Sequence, residues 1–161
     1  MKRSIVYIDL ITDKRCQPSS AVRRERDNAI ADLLQENVFE PVNDDGAPYH
    51  VELGIKDQRL IIEMVNAEKI KLPTLILSLR PYKRLIKDYF IMVESYNDAR
   101  HLGGDKLEAI DMGRRAVHNE GASYLKERLS SKVNIDMETA RRLFTLICVL
   151  HIGQVRGPQI I

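Results

Sequence analysis

The sequence predicts an α+β fold: a small, mainly antiparallel sheet of about four strands, one early helix and three C-terminal helices. Two patterns carry that reading. Apolar residues alternate at period two through residues 4–10, 49–64 and 74–79, and they recur at helical spacing after Ser19 and through most of the chain after Pro81. Turn formers separate the segments, and 44% hydrophobic residues over 161 positions can fill one core without staples. Residues 1–152 therefore read as a single domain and residues 153–161 as a C-terminal tail.

In residues 4–10, Val6, Ile8 and Leu10 alternate with Ile5, Tyr7 and Asp9, which suits a strand with one better-buried face. Ser19 and Ser20 are capping candidates for a helix to about Asn37, with Val22, Ala29, Ile30, Leu33 and Leu34 turned inward. Its early charges, Arg23, Arg24, Glu25, Arg26 and Asp27, mix both signs and read as a solvated face. Asn43, Asp44, Asp45 and Gly46 favour a turn, and no twelve-residue loop with a terminal glutamate supports calcium. Tyr49, Val51, Leu53 and Ile55, then Leu60, Ile62 and Met64 across Asp57-Gln58, form a hairpin signal. Leu75, Leu77 and Leu79 extend it to an antiparallel meander.

Pro81 suits the first turn of a helix reaching about Arg100, with Tyr82, Leu85, Ile86, Tyr89, Val93 and Tyr96 on one face. Gly103-Gly104 separates it from a central helix over residues 107–129. Asn134 or Asp136 can cap a last helix ending near His151, which is apolar nearly all round from Leu143 to Leu150.

Twenty-five basic and twenty-three acidic residues leave a formal charge of +2, not the strong basic excess of a dedicated nucleic-acid binder. Tyr82, Tyr89 and Tyr96 recur every seven residues, but Lys83, Arg84 and Lys87 fall on the other side of the wheel. Stacking platform and charge are thus separated, and nucleic-acid binding is disfavoured. No segment is long enough to span a bilayer, and the apolar run before Asp9 is too short for a secretory signal. Cys16 and Cys148 read as free thiols in a reducing cytoplasm.

Three strings, LSLRPYKRLIKDYFIMVESY, EAIDMGRRAVHNEGASYLKERL and DMETARRLFTLICVLH, resemble one family, uncharacterised protein family (UPF) 0262 of alphaproteobacteria. The resemblance extends over all but the last few residues. It implies a bacterial cytoplasmic protein and carries over no activity, cofactor or catalytic residue.

Candidate chemistry sits on the central helix. Its apolar stripe, Leu107, Ile110, Val117, Gly121, Leu125 and Leu129, has Arg114 near the middle and His118 at the edge, and Asp111 reaches Arg114 and Arg115 at spacings of three and four. A buried guanidinium needs a partner, so an internal Asp111–Arg114 pair is one reading. The other is a cleft in which Arg114, Arg115 and His118 hold a phosphate or carboxylate; an oligomer interface is a third. His151, beside Ala140, Phe144 and Ile147, leans toward the interior and joins Asp111, Arg114, Arg115 and His118 as a candidate ligand-binding residue.

No metal site is expected, because His118 and Glu120 point about 200° apart and Cys148 sits in an apolar run. No cofactor motif and no nucleophile with its base stands out, so no catalytic residue is assigned. The sequence reading is a non-catalytic cytoplasmic binding or regulatory module whose partner is another protein or a small anion. The rival is a small enzyme or ligand-binding protein acting on an anionic metabolite through Arg114, Arg115 and His118. A homodimer is a further expectation: the early bases Arg84 and Lys87 and the late acids Glu94 and Asp98 surround Ile91 on one helix face, as an antiparallel two-fold pairing would use. Enclosure of the central cluster favours the internal pair, and a cleft lined by it favours a ligand.

Overall fold

The computed structural model describes residues 4–12, 18–101 and 103–155; Cys16 and the end of the tail lie outside them. In chain order the elements are β1 (Ile5–Leu10), α1 (Ser20–Gln35), β2 (Phe39–Pro41), β3 (Tyr49–Lys56), β4 (Arg59–Val65), β5 (Leu75–Ser78), α2 (Lys83–Ala99), α3 (Gly104–Leu129), β6 (Val133–Ile135) and α4 (Met137–Val155). The fold is α+β as expected, with one helix early and three late.

The main sheet has the order β1-β3-β4-β5. β3, β4 and β5 form the expected antiparallel meander, and β1 lies parallel to β3. The β3–β4 turn is Asp57-Gln58, both at positive φ, the geometry a two-residue hairpin link requires. β1 departs from strict alternation: Ile5 and Ile8 are both buried, because one extra residue between Ile5 and Tyr7 shifts the register against β3. Tyr49, Val51 and Leu53, with Leu60, Ile62 and Met64, turn the inner face of the sheet into the core beneath the helices.

Two short strands, β2 and β6, pair antiparallel in a second sheet, Phe39 opposite Ile135. Three residues each leave no periodic signature, and only the fold brings them together. Asn37 locks the end of α1 to β1. Its Oδ1 accepts from the Ser4 and Ile5 amides at 2.9 and 2.8 Å, and its Nδ2 donates to the Ile5 and Leu33 carbonyls at 2.9 and 2.8 Å. Every hydrogen-bonding position of that buried amide is used.

Ser19 caps α1, its Oγ accepting from the Val22 amide at 3.2 Å. Pro81 falls in a 3-10 turn, Arg80–Tyr82, immediately before α2. Gly103 and Gly104, at φ 63° and 74°, make the break into α3 that a side chain would strain. Asp136, rather than Asn134, caps α4: its Oδ1 accepts from the Thr139 amide at 2.8 Å. Tyr82, just before α2, and Tyr89 on it are buried. Tyr89 donates to Glu25 at 2.8 Å, and the buried Tyr82 hydroxyl has no partner among the described residues. The charges expected on one outer strip of α2 diverge as well. Arg84 turns to Glu120 of α3 at 3.2 Å, whereas Glu94 accepts from Ser19 Oγ at 2.9 Å.

Candidate functional site

A cleft of about 580 Å³ opens between α1, α3 and α4. Each helix lines it with residues three or four apart, the spacing that keeps side chains on one face. α1 supplies Glu25, Asn28 and Asp32; α3 supplies Arg114, Arg115, His118 and Asn119; α4 supplies Glu138, Arg141, Arg142 and Thr145. The close approach of α3 to α4 rests on Gly121: a Cβ there would lie 2.4 Å from the Phe144 ring.

Arg114 forms the inner wall. It donates to Asp111 Oδ1 at 2.8 Å and to Glu25 Oε2 at 3.4 Å, and its guanidinium lies 4.6 Å from the centre of the Tyr96 ring. Burial works against that charge, but the bond to Asp111 and the nearby Glu25 outweigh it and hold the guanidinium above its usual range. Glu25 is therefore not part of a solvated face. It accepts from both Tyr89 and Arg114, and only 19% of its side chain is exposed. Arg115, 75% exposed, is tethered to Asp111 Oδ2 at 3.0 Å and reaches the cleft from its rim.

His118 lies deeper, with Nε2 3.0 Å from Thr145 Oγ1 and its ring against Tyr89 and Phe144. Thr145 donates its own proton to the Arg141 carbonyl at 3.1 Å, which leaves its lone pairs to accept from an Nε2–H. Burial, reinforced by the guanidinium groups of Arg114, Arg141 and Arg142, pushes the imidazole down to about 4. The ring is neutral at neutral pH. On the opposite wall Glu138 bonds both Arg141 and Arg142, and Arg142 also approaches Asp32 at 3.8 Å.

Of the five sequence candidates, Arg114, Arg115 and His118 line the cleft. Asp111 stands behind them, orienting both arginines without lining the cavity. His151 is not brought to them: it lies six residues beyond Thr145, about 9 Å along α4, where burial and Lys83 lower its pKa. Sequence reasoning passed over Glu25, Arg141 and Arg142. The spacing of Glu138, Arg141, Arg142 and Thr145 on one face of α4 was the available signal. Cys148 is fully buried, and burial pushes its thiol well up, away from the thiolate form a nucleophile needs. Among the described residues no three His, Cys, Asp or Glu side chains form a metal set, and no helix is long and apolar enough to cross a membrane.

No solved structure matches this chain. Similar proteins are known from sequence. A UPF0262 protein of Mesorhizobium japonicum is 50% identical over 147 residues, covering 89% of this chain and 91% of its own length. One from Rhizobium meliloti is 46% identical over 151 residues, 92% of this chain and 96% of its own. One from Agrobacterium fabrum is 48% identical over 131 residues, 81% and 83% respectively. The family described as "Uncharacterised protein family (UPF0262)" matches residues 2–153, and with these relatives of nearly the same length it shows that the chain belongs to that family.

Proposed function

We propose that this chain is a non-catalytic binding module of the bacterial cytoplasm that takes a small anionic metabolite, a phosphate or carboxylate, into the cleft between α1, α3 and α4. The observation that carries the reading is the convergence of four guanidinium groups, Arg114, Arg115, Arg141 and Arg142, on one open cavity against three carboxylates, Glu25, Asp32 and Glu138. A purely internal ion pair has no need of a cavity, and planar guanidinium forks match phosphate and carboxylate oxygens. Glu138, 59% exposed, lies between Arg141 and Arg142 where a ligand's own anionic group would bind, and it can swing out into solvent at little energetic cost. Neutral His118, with Asn28 and Asn119, adds polar contacts that carry no charge.

Calorimetry with inorganic pyrophosphate and with citrate tests the proposal. At least one should bind, Arg115→Ala and Arg142→Ala should each weaken it by tenfold or more, and Glu138→Gln should tighten it by removing the internal competitor. No binding of either probe, or affinity unaltered in all three variants, contradicts the proposal.

A further inference from the structure

The outer face of the main sheet carries a pattern that the cleft does not use. Its residues fall in rows across the strands, fixed by the pairing register. Asp9, Glu52 and Glu63 are aligned in one row, and Lys56 and Arg59 in another, with Arg80 beside Arg59. Between them, Gly54 pairs with Ile61 and Ile61 with Ile76, while Ile11 lies against Gly54. An antiparallel sheet with one solvated face should place polar residues there. Here the middle row is isoleucine, with Ile11 52% and Ile76 63% exposed.

We infer that this face binds a second copy of the same chain, sheet against sheet, about a two-fold axis running along the Ile11–Ile61–Ile76 row. The charges decide the occupant. Rotation by 180° about that row lays isoleucines on isoleucines and reverses the direction along the strands, so the acidic row of each copy lies over the basic row of the other. On β3 this places Glu52 over the partner copy's Lys56 twice, once for each copy. Glu63 already holds Lys71 at 3.4 Å, which leaves Glu52 as the free acid that faces a base. The area is adequate. Four strands about 4.8 Å apart and eight residues of β3 at about 3.3 Å each, with side-chain relief, bury on the order of 1,000 Å² over two faces, the lower limit for a specific interface. Aligned sheets pack about 10 Å apart, close enough for the isoleucines to interdigitate. The cleft lies among the helices beyond the sheet's inner face, so pairing leaves it open.

Light scattering of the full chain at 50 µM should give twice the 18.5 kDa chain mass. Ile76→Glu should give monomer, and so should Glu52→Lys and Lys56→Glu, each of which sets like charges opposite each other. Mixing these two single variants, or combining both changes in one chain, should restore the dimer because opposite charges then meet again. All three positions point outward, and circular dichroism should stay native. A monomeric wild type overturns the inference. So does a dimer that survives Ile76→Glu and both single swaps, which would place the contact on another surface such as α2.

Discussion

Two buried tyrosines in this molecule do the same thing in opposite settings. Tyr49 donates to Asp44 at 2.8 Å and Tyr89 donates to Glu25 at 2.8 Å. Around Asp44 the cluster is closed. The Gly46 amide and the Asn66 side chain complete the carboxylate, and Asn66 in turn accepts from the Glu68 and Ile70 amides, so every donor comes from a turn or strand end nearby. Around Glu25 the second partner is Arg114, from a different helix, and the pair opens onto a 580 Å³ cavity. A satisfied cluster fixes a loop; a cluster with guanidinium nitrogens left over beside an open volume is where the proposed anion would sit.

The largest expected effect falls where the open cluster depends on close packing. Gly121→Ala drives a methyl into the Phe144 ring and should cost about 3 kcal/mol or more by urea denaturation. Gly46→Ala, beside the closed cluster, meets the ends of Asn66 and Asp44 at 2.9 and 3.1 Å, and should cost less because polar side-chain ends give way more readily than a packed ring.

Acid should separate the two clusters. His118 binds a proton less readily folded, near 4, than unfolded, near 6.5. The unfolded chain therefore takes up more protons between those values, and stability present above pH 6.5 is lost as the pH falls toward 4, by about 2–3 kcal/mol. Asp44, held below its ordinary 3.8 first by the Gly46 amide and then by Tyr49, keeps its contribution until lower pH. Unfolding measured from pH 7 to 3 should lose most of its slope above pH 4 in His118→Gln. The depressed His151 accounts for a smaller part, which His151→Gln removes. An unaltered slope in both variants contradicts the assignment.

A smaller effect compares the phenols directly. Tyr49→Phe and Tyr89→Phe each remove one donor to a carboxylate and should each cost about 1–2 kcal/mol. Only Tyr89→Phe should also change anion affinity, because it leaves Glu25 wholly to Arg114.

The same contrast explains what the sequence could reveal. The meander, the four helices and the Asp44 turn rest on residues close together along the chain, where periodicity and spacing are direct signals. Asp111 and Arg114 were legible for the same reason, three apart on one helix. Glu25 was not: its partners lie 64 and 89 positions away, and on α1 alone it cannot be told from the solvated charges around it. Arg141 and Arg142 gave only a local ion-pair pattern with Glu138 until α1 and α3 were set opposite them. β2 and β6 met the same limit, as did the bulge that lets Ile5 and Ile8 share a face of β1.

The most direct test of the anion cleft is an amide NMR titration with inorganic pyrophosphate. The account predicts shifts concentrated at Asn28, Arg115, Asn119, Arg142 and Thr145, with little change at Asp44, Tyr49 and Asn66. A spectrum that stays still at millimolar pyrophosphate, or shifts that avoid these five residues, contradicts it.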